Sequence, residues 1–142
     1  MKPDTEIRAM LSGHKATQGR IRLLGILRKA SAPLTIQELL QRLGKNAIDK
    51  VTVYRIVKIL QKESVIRQID FQHGHAHYEL AHPENHHHHF VCIRCGKTKD
   101  FKNASMENLL TKASKGSPDF PLVKHHSLEI FGFCRNCTKK HP

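Results

Sequence analysis

Apolar residues recur with helical spacing through the first part of this chain. Ile21, Leu24 and Leu27 share one face of a first segment. Ile36, Leu39, Leu40 and Leu43 form a second stripe at i, i+3, i+4 and i+7. Pro33 breaks the chain just upstream, and Thr35-x-x-Glu38 has the form of a capping box. A third stripe, Val53, Ile56, Val57 and Leu60, follows Asp49, a candidate N-cap. These apolar positions read as core. The opposite face of the third segment carries Thr52, Tyr54, Arg55, Lys58 and Lys62.

The period then changes. Val65 to Phe71 is β-prone, His73-Gly74 is a turn, and His75 to Leu80 is a return strand. Helices followed by such a hairpin predict a winged helix-turn-helix, its third helix in the major groove and its hairpin alongside. Pro83-Glu84-Asn85 reads as a hinge. Beyond it, Phe90 to Ile93 is strand-like. Asn103 is placed to cap a helix with Met106, Leu109, Leu110 and Ala113 on one face, ending at Gly116. Leu122 to Phe133 reads as a further strand. The expected fold is therefore α+β: a winged helix-turn-helix over residues 1–81, a hinge over 82–85, and a small α/β unit over 86–142. So short a second unit has a thin core and calls for a metal and a partner subunit.

Charge sharpens this division. Lys and Arg number 24 against 12 Asp and Glu, a net charge of +12. Fourteen of the cations lie in residues 1–68, opposed only by Asp4, Glu6, Glu38, Asp49 and Glu63. A basic half fits a polyanion such as double-stranded DNA. No run of about 18 apolar residues occurs, so no membrane span is expected. The opening MKPDTEIRAMLSG contains no apolar core of a signal peptide, which predicts a cytoplasmic protein.

The second half holds all four cysteines and eleven of the twelve histidines. Cys92-x-x-Cys95 and Cys134-x-x-Cys137 are two knuckles that together supply four thiolates, the set for a closed tetrahedral zinc. Two disulfides or free thiols are the alternative, and a reducing compartment favours the metal. His86-His87-His88-His89 directly precedes the first knuckle and suggests a further metal. On a strand His86 and His88 would face one side, His87 and His89 the other. A zinc deaminase also combines His with Cys-x-x-Cys, but it needs a His-x-Glu and an open coordination position, and His86-x-His88 has no such glutamate. A zinc-storage module would explain the ligands but not the basic half.

Taken in order, Val51-Thr52-Val53-Tyr54-Arg55, His86 to Gly96, His126-Ser127-Leu128 and Gly132-x-Cys134-x-x-Cys137 resemble the ferric uptake regulator (Fur) superfamily of metal-dependent repressors, over roughly residues 12–138. The resemblance implies a homodimer that binds an operator in double-stranded DNA and is no enzyme. It implies structural zinc on Cys92, Cys95, Cys134 and Cys137. It implies a regulatory site of Glu79, His87, His89 and Asp100 between the two domains, with His77 and His82 as additional candidates. A second site would use His86, His88, Glu107 and His126. Thr52, Tyr54, Arg55 and Lys58 would meet DNA, Tyr54 on a thymine methyl, and Lys15 would enter the minor groove. The histidine that many iron and peroxide sensors carry before the second helix is absent here, where Ala32-Pro33-Leu34 stands. With an imidazole-rich shell, that favours zinc over iron(II) or manganese(II) as the regulatory ion. An iron, manganese or peroxide sensor is the alternative.

Overall fold

Helices α1 (Pro3–Met10), α2 (Gln18–Lys29), α3 (Ile36–Leu43) and α4 (Lys50–Lys62) build the first half of the chain. In this computed structural model the described residues are 3–45, 47–81, 86–123 and 125–140. The three apolar stripes are α2, α3 and α4. The earlier helix α1 was not expected: its apolar spacing is only about two turns long, and its order comes from packing. Ile7 and Leu11 are buried with Leu23, Leu24 and Leu27 of α2, and Glu6 pairs with Arg28 across the same contact.

The helix starts are set by local side-chain chemistry. Thr35 Oγ1 accepts from Glu38 N at 3.2 Å while the Glu38 carboxylate accepts from Thr35 N at 2.7 Å, closing the capping box. Asp49 accepts from Thr52 N at 2.9 Å and from the Thr52 hydroxyl. Those bonds, the hydroxyl first, hold its carboxyl below the usual carboxylate range. Helix α3 stops at Gly44, whose φ of 88° a residue with a Cβ adopts only under strain.

Strands β1 (Leu34–Thr35), β2 (Ile66–Asp70) and β3 (Ala76–Leu80) form an antiparallel sheet in the order β1-β3-β2. The hairpin β2–β3 is the wing. The two-residue β1 was not anticipated, because it is too short to show a period. Leu39, Val53 and Leu60, each fully buried, join Ile66, Tyr78 and Leu80 in one core between helices and sheet.

The chain divides into two compact units, Met1–Glu84 and Asn85–Pro142. The expected hinge, with His82, lies outside the described residues. The second unit contains β4 (His88–Cys92), β5 (Thr98–Phe101), α5 (Ala104–Lys115), β6 (Glu129–Gly132) and α6 (Arg135–Lys139). Its sheet runs β5-β4-β6, with β4 antiparallel to β5 and parallel to β6. The strand expected over Leu122–Phe133 is only Glu129–Gly132. Its parallel ladder begins at His89↔Glu129, one residue from the start of β4, so residues further upstream have almost no strand to pair with. Neither β5, which is charged and lacks alternation, nor the short α6 was foreseen.

Helix α5 has the expected caps, Asn103 and Gly116, but no residue of it is buried, and Leu109 is 69% exposed. Among the described residues, no helix is long and apolar enough to cross a membrane. Leu39→Ala should lower the unfolding free energy of the winged unit by about 2–5 kcal/mol, read from urea denaturation followed by circular dichroism. A loss below about 1 kcal/mol would contradict the fully buried placement.

Candidate metal centres and nucleic-acid interface

The parallel β4–β6 pairing brings the two cysteine knuckles together. Cys92 ends β4 opposite Gly132, two residues before Cys134. Gly96 N donates to Cys92 O at 2.9 Å, which curls the first knuckle, and Cys137 N donates to Cys134 O at 2.9 Å, which curls the second. All four sulfurs then lie within 4.8 Å of one another, with Cys95 and Cys134 Sγ 3.7 Å apart. A tetrahedral shell of Zn–S bonds of about 2.3 Å separates its sulfurs by about 3.8 Å, so the quartet fits zinc as it stands. No position is left open for a substrate.

The protonation pattern of these thiols follows from their surroundings. The backbone N–H of Cys134, then that of Cys95, lowers the Cys92 thiol to about 6. Burial pushes Cys137 up to about 12. A quartet with two buried members, Cys92 held toward the thiolate and Cys137 toward the thiol, is resolved when a cation takes all four as thiolates. Arg94, between the first two cysteines, donates to Cys137 O at 2.9 Å and stacks on Phe133 with 5.0 Å to the ring centre. This brace crosses the two knuckles and was not found from the sequence, because nothing local pairs residues so far apart.

A second group forms where β4 faces α5. His88, 2% exposed, bonds the Glu107 carboxylate. His86 Nε2 stands 3.0 Å from His126 Nε2, and both approach Glu107, at 3.9 and 4.0 Å. The structure thus brings together His86, His88, Glu107 and His126 with all ligand atoms within 4.8 Å. The three imidazoles lower the Glu107 carboxyl against the opposing effect of burial, His88 through a hydrogen bond and all three through charge. Three imidazoles and a carboxylate form a donor set suited to a borderline divalent ion.

His87 and His89 lie on the other side, their rings 4.9 Å apart. The cross-strand register sets Asp100 on β5 directly opposite His89. One carboxylate oxygen is 3.7 Å from His89 Nε2 and the other 3.8 Å from His87 Nε2. These gaps exceed a hydrogen bond and approach the spacing of two ligands on one ion with bonds of about 2 Å. Glu79 lies on β3 in the first unit, opposite Arg67 of β2, whose Nε donates to it at 2.5 Å. His77 packs on Phe71, with 4.7 Å between ring centres. His82 is outside the described residues.

The outward face of α4 carries the other chemistry. Val51 is 67% and Tyr54 49% exposed. Arg55 and Lys58 are exposed and Thr52 is half-buried. Lys50 lies 6.0 Å from the Tyr54 ring centre. Beside this face an open groove of about 820 Å³ is lined by Thr17, Gly19, Arg20, Asp49, Thr52 and Arg55. Lys15 lies exposed in the loop between α1 and α2, just ahead of the helix that carries the first apolar stripe. Arg20 Nη1 donates to Lys15 O at 3.0 Å and reaches Glu63 Oε1 at 3.7 Å, while His14 Nδ1 lies 3.2 Å from the same oxygen. Glu63, at the end of α4, therefore fastens the loop that carries Lys15. Only tertiary structure reveals this latch.

The model of the ferric uptake regulator family matches residues 11–131. The chain belongs to the ferric uptake regulator family. It is accordingly a metal-responsive transcriptional regulator and not an enzyme. It is 31% identical over 131 residues to the ferric uptake regulation protein of Synechococcus elongatus, covering 89% of this chain and 88% of that one. Its fold is similar to that of the Helicobacter pylori ferric uptake regulator Fur, with a TM-score of 0.72 and 24% identity over 97% of this chain and 90% of that one. A zinc uptake regulator solved with zinc and DNA shares the fold at a TM-score of 0.67 and 18% identity, with 99% and 97% covered. In this family member the cysteine quartet is the part whose chemistry is most completely determined by its own geometry.

Cys134→Ser should release zinc, measured by elemental analysis, and lower the melting temperature of the second unit. Metal binding in small zinc domains carries on the order of 10 kcal/mol of folding free energy. An unchanged melting temperature with full zinc content would remove the quartet's structural role.

Proposed function

We propose that this regulator is a cytoplasmic homodimer that represses transcription by binding operator DNA only when a divalent metal is bound, with zinc as the favoured ion. The outward face of α4 carries the DNA reading. It exposes Val51, Tyr54, Arg55 and Lys58 on a helix whose other face is fully committed to the core. A tyrosine ring buries a thymine methyl, and a guanidinium grips guanine or phosphate in two-pronged fashion. Lys15, held by the Arg20–Glu63 latch, is the cation offered to a narrow minor groove.

A second copy of the chain is supported by the apolar surface of the second unit. Phe90, Ile93, Leu109, Phe120, Leu122 and Phe133 are all exposed there. So much apolar area on a small unit marks an interaction surface. Two copies related by a two-fold axis would present two α4 helices to two half-sites.

The regulatory ion is assigned to His87, His89 and Asp100, with Glu79 of the winged unit as a further ligand by likeness to the family. A bound ion supplies a charge that only one arrangement of its ligands satisfies, and that preference couples metal to DNA affinity. Imidazole donors favour zinc over manganese(II) or iron(II), and His87 and His89 supply two of them. The iron(II) reading is supported by the name of the cyanobacterial relative, a ferric uptake regulation protein.

The test is fluorescence anisotropy on a duplex selected with metal-loaded protein, with zinc, iron(II) and manganese(II) titrated in parallel. Zinc should activate binding at the lowest free concentration relative to its cellular supply, and activation by iron(II) below that level would overturn the choice. His89→Ala should abolish metal-dependent DNA binding while leaving a zinc-containing dimer. Retained metal dependence would move the sensing site elsewhere. Tyr54→Ala should reduce discrimination between selected and scrambled duplexes by about 1–3 kcal/mol. An equal loss on both would remove α4 from the reading role.

A further inference from the structure

Five residues at the tip of the wing, His73-Gly74-His75-Ala76-His77, hold three imidazoles that the proposed function does not use. Gln72 and Gly74 both have positive φ, 59° and 78°, and flank His73. This double left-handed turn curls the tip back on itself. His73 is thereby returned over the hairpin, its ring 6.3 Å from that of His77 and nearly perpendicular to it. Phe71 backs both, at 6.5 and 4.7 Å between ring centres. Gly74 has open space around it, so the turn has room to adjust.

His77 has the orientation of a metal ligand. Its Nδ1 is 3.1 Å from the carbonyl oxygen of His75. A carbonyl only accepts, so Nδ1 carries the proton and donates, and in the neutral ring the lone pair is on Nε2. Metal-bound histidines commonly have this arrangement, the distal nitrogen on the ion and the other donating to a carbonyl. An ion bonded at about 2 Å to the outer nitrogens of two imidazoles holds their centres roughly 5–6 Å apart. The observed 6.3 Å needs only a small rotation of the exposed His73 side chain. His75 contributes its carbonyl, which fixes the His77 ring.

We propose that the wing tip is a separate, solvent-accessible divalent metal site formed by His73 and His77, selective for borderline ions such as nickel(II), copper(II) or zinc(II). All of its donors are imidazoles, which bind these ions and discriminate against manganese(II) and magnesium. The site lies wholly within the winged unit and does not depend on which ion the regulatory site takes.

The probe is nickel(II), added to the full-length protein already loaded with zinc, with imidazole proton and nitrogen resonances followed by NMR. The rings of His73 and His77, and then the ring of Phe71, should broaden before those of the exposed His14 and His125. Manganese(II) at the same concentration should not produce this order. In equilibrium dialysis, a protein carrying His73→Gln and His77→Gln should lose its weakest-held nickel(II) equivalent while keeping zinc content and melting temperature. The single His73→Gln change, at an exposed side chain, should lose it too, and serves if the double variant is destabilised. Unchanged nickel(II) stoichiometry and affinity in these variants would overturn the proposal. Broadening of His14 and His125 in step with the wing would do so as well, since it would mean generic surface histidine binding.

Discussion

The second unit depends on one backbone pairing, the parallel ladder between β4 and β6. Parallel strands cannot be joined by a tight turn, and here the connection passes through both knuckle one and α5 before returning. The ladder sets Cys92 beside Gly132 and so delivers Cys134 and Cys137 to Cys92 and Cys95. Apart from this the unit has little to hold it. Its buried apolar side chains among the described residues are Val91, Cys92 and Cys137. Such a core cannot offset the entropy of ordering a chain of this length. A cation on four thiolates joins chain segments about 40 residues apart, and the long loop it closes is where such a clip stabilises most.

The winged unit has the opposite economy. Its core runs from Ile7 to Leu80 and involves every helix and the sheet, so the outward side of α4 is not needed for folding. Val51 and Tyr54 are exposed on that side. The side chains that orient this face, Asp49 at its start and Glu63 at its end, are both carboxylates bound to neighbours. Each fixes backbone, one the first turn of α4 and the other the loop of Lys15.

Strand β4 is shared between the two histidine groups. Its alternation sends His88 toward α5 and His89 toward β5, and both are almost completely buried. Buried imidazoles need polar partners, and each side supplies a carboxylate, Glu107 on one and Asp100 on the other. The two groups are therefore held on opposite sides of the same backbone. The ladder that assembles the cysteines passes through these same residues, so all three clusters are anchored to one strand.

The fold was legible where the chemistry is local. Three helical stripes, the Thr35–Glu38 box, the Asp49 and Asn103 caps and the hairpin around Gly74 each involve residues within a few positions, and each stands in the structure. The knuckles were legible too, because metal spacing is a local rule. What the sequence could not settle was whatever needs a distant partner. Helix α1 is ordered by burial against α2. Strand β5 has no pattern of its own and is a strand because β4 lies beside it. The extent of β6 was overread because its limit is the length of its neighbour, not its own composition. The Arg20–Glu63 latch, the Arg94 brace and the engagement of Glu79 by Arg67 belong to the same class. Residue types and spacing determined which donors this chain carries; the pairing of strands far apart in sequence decided which donors meet.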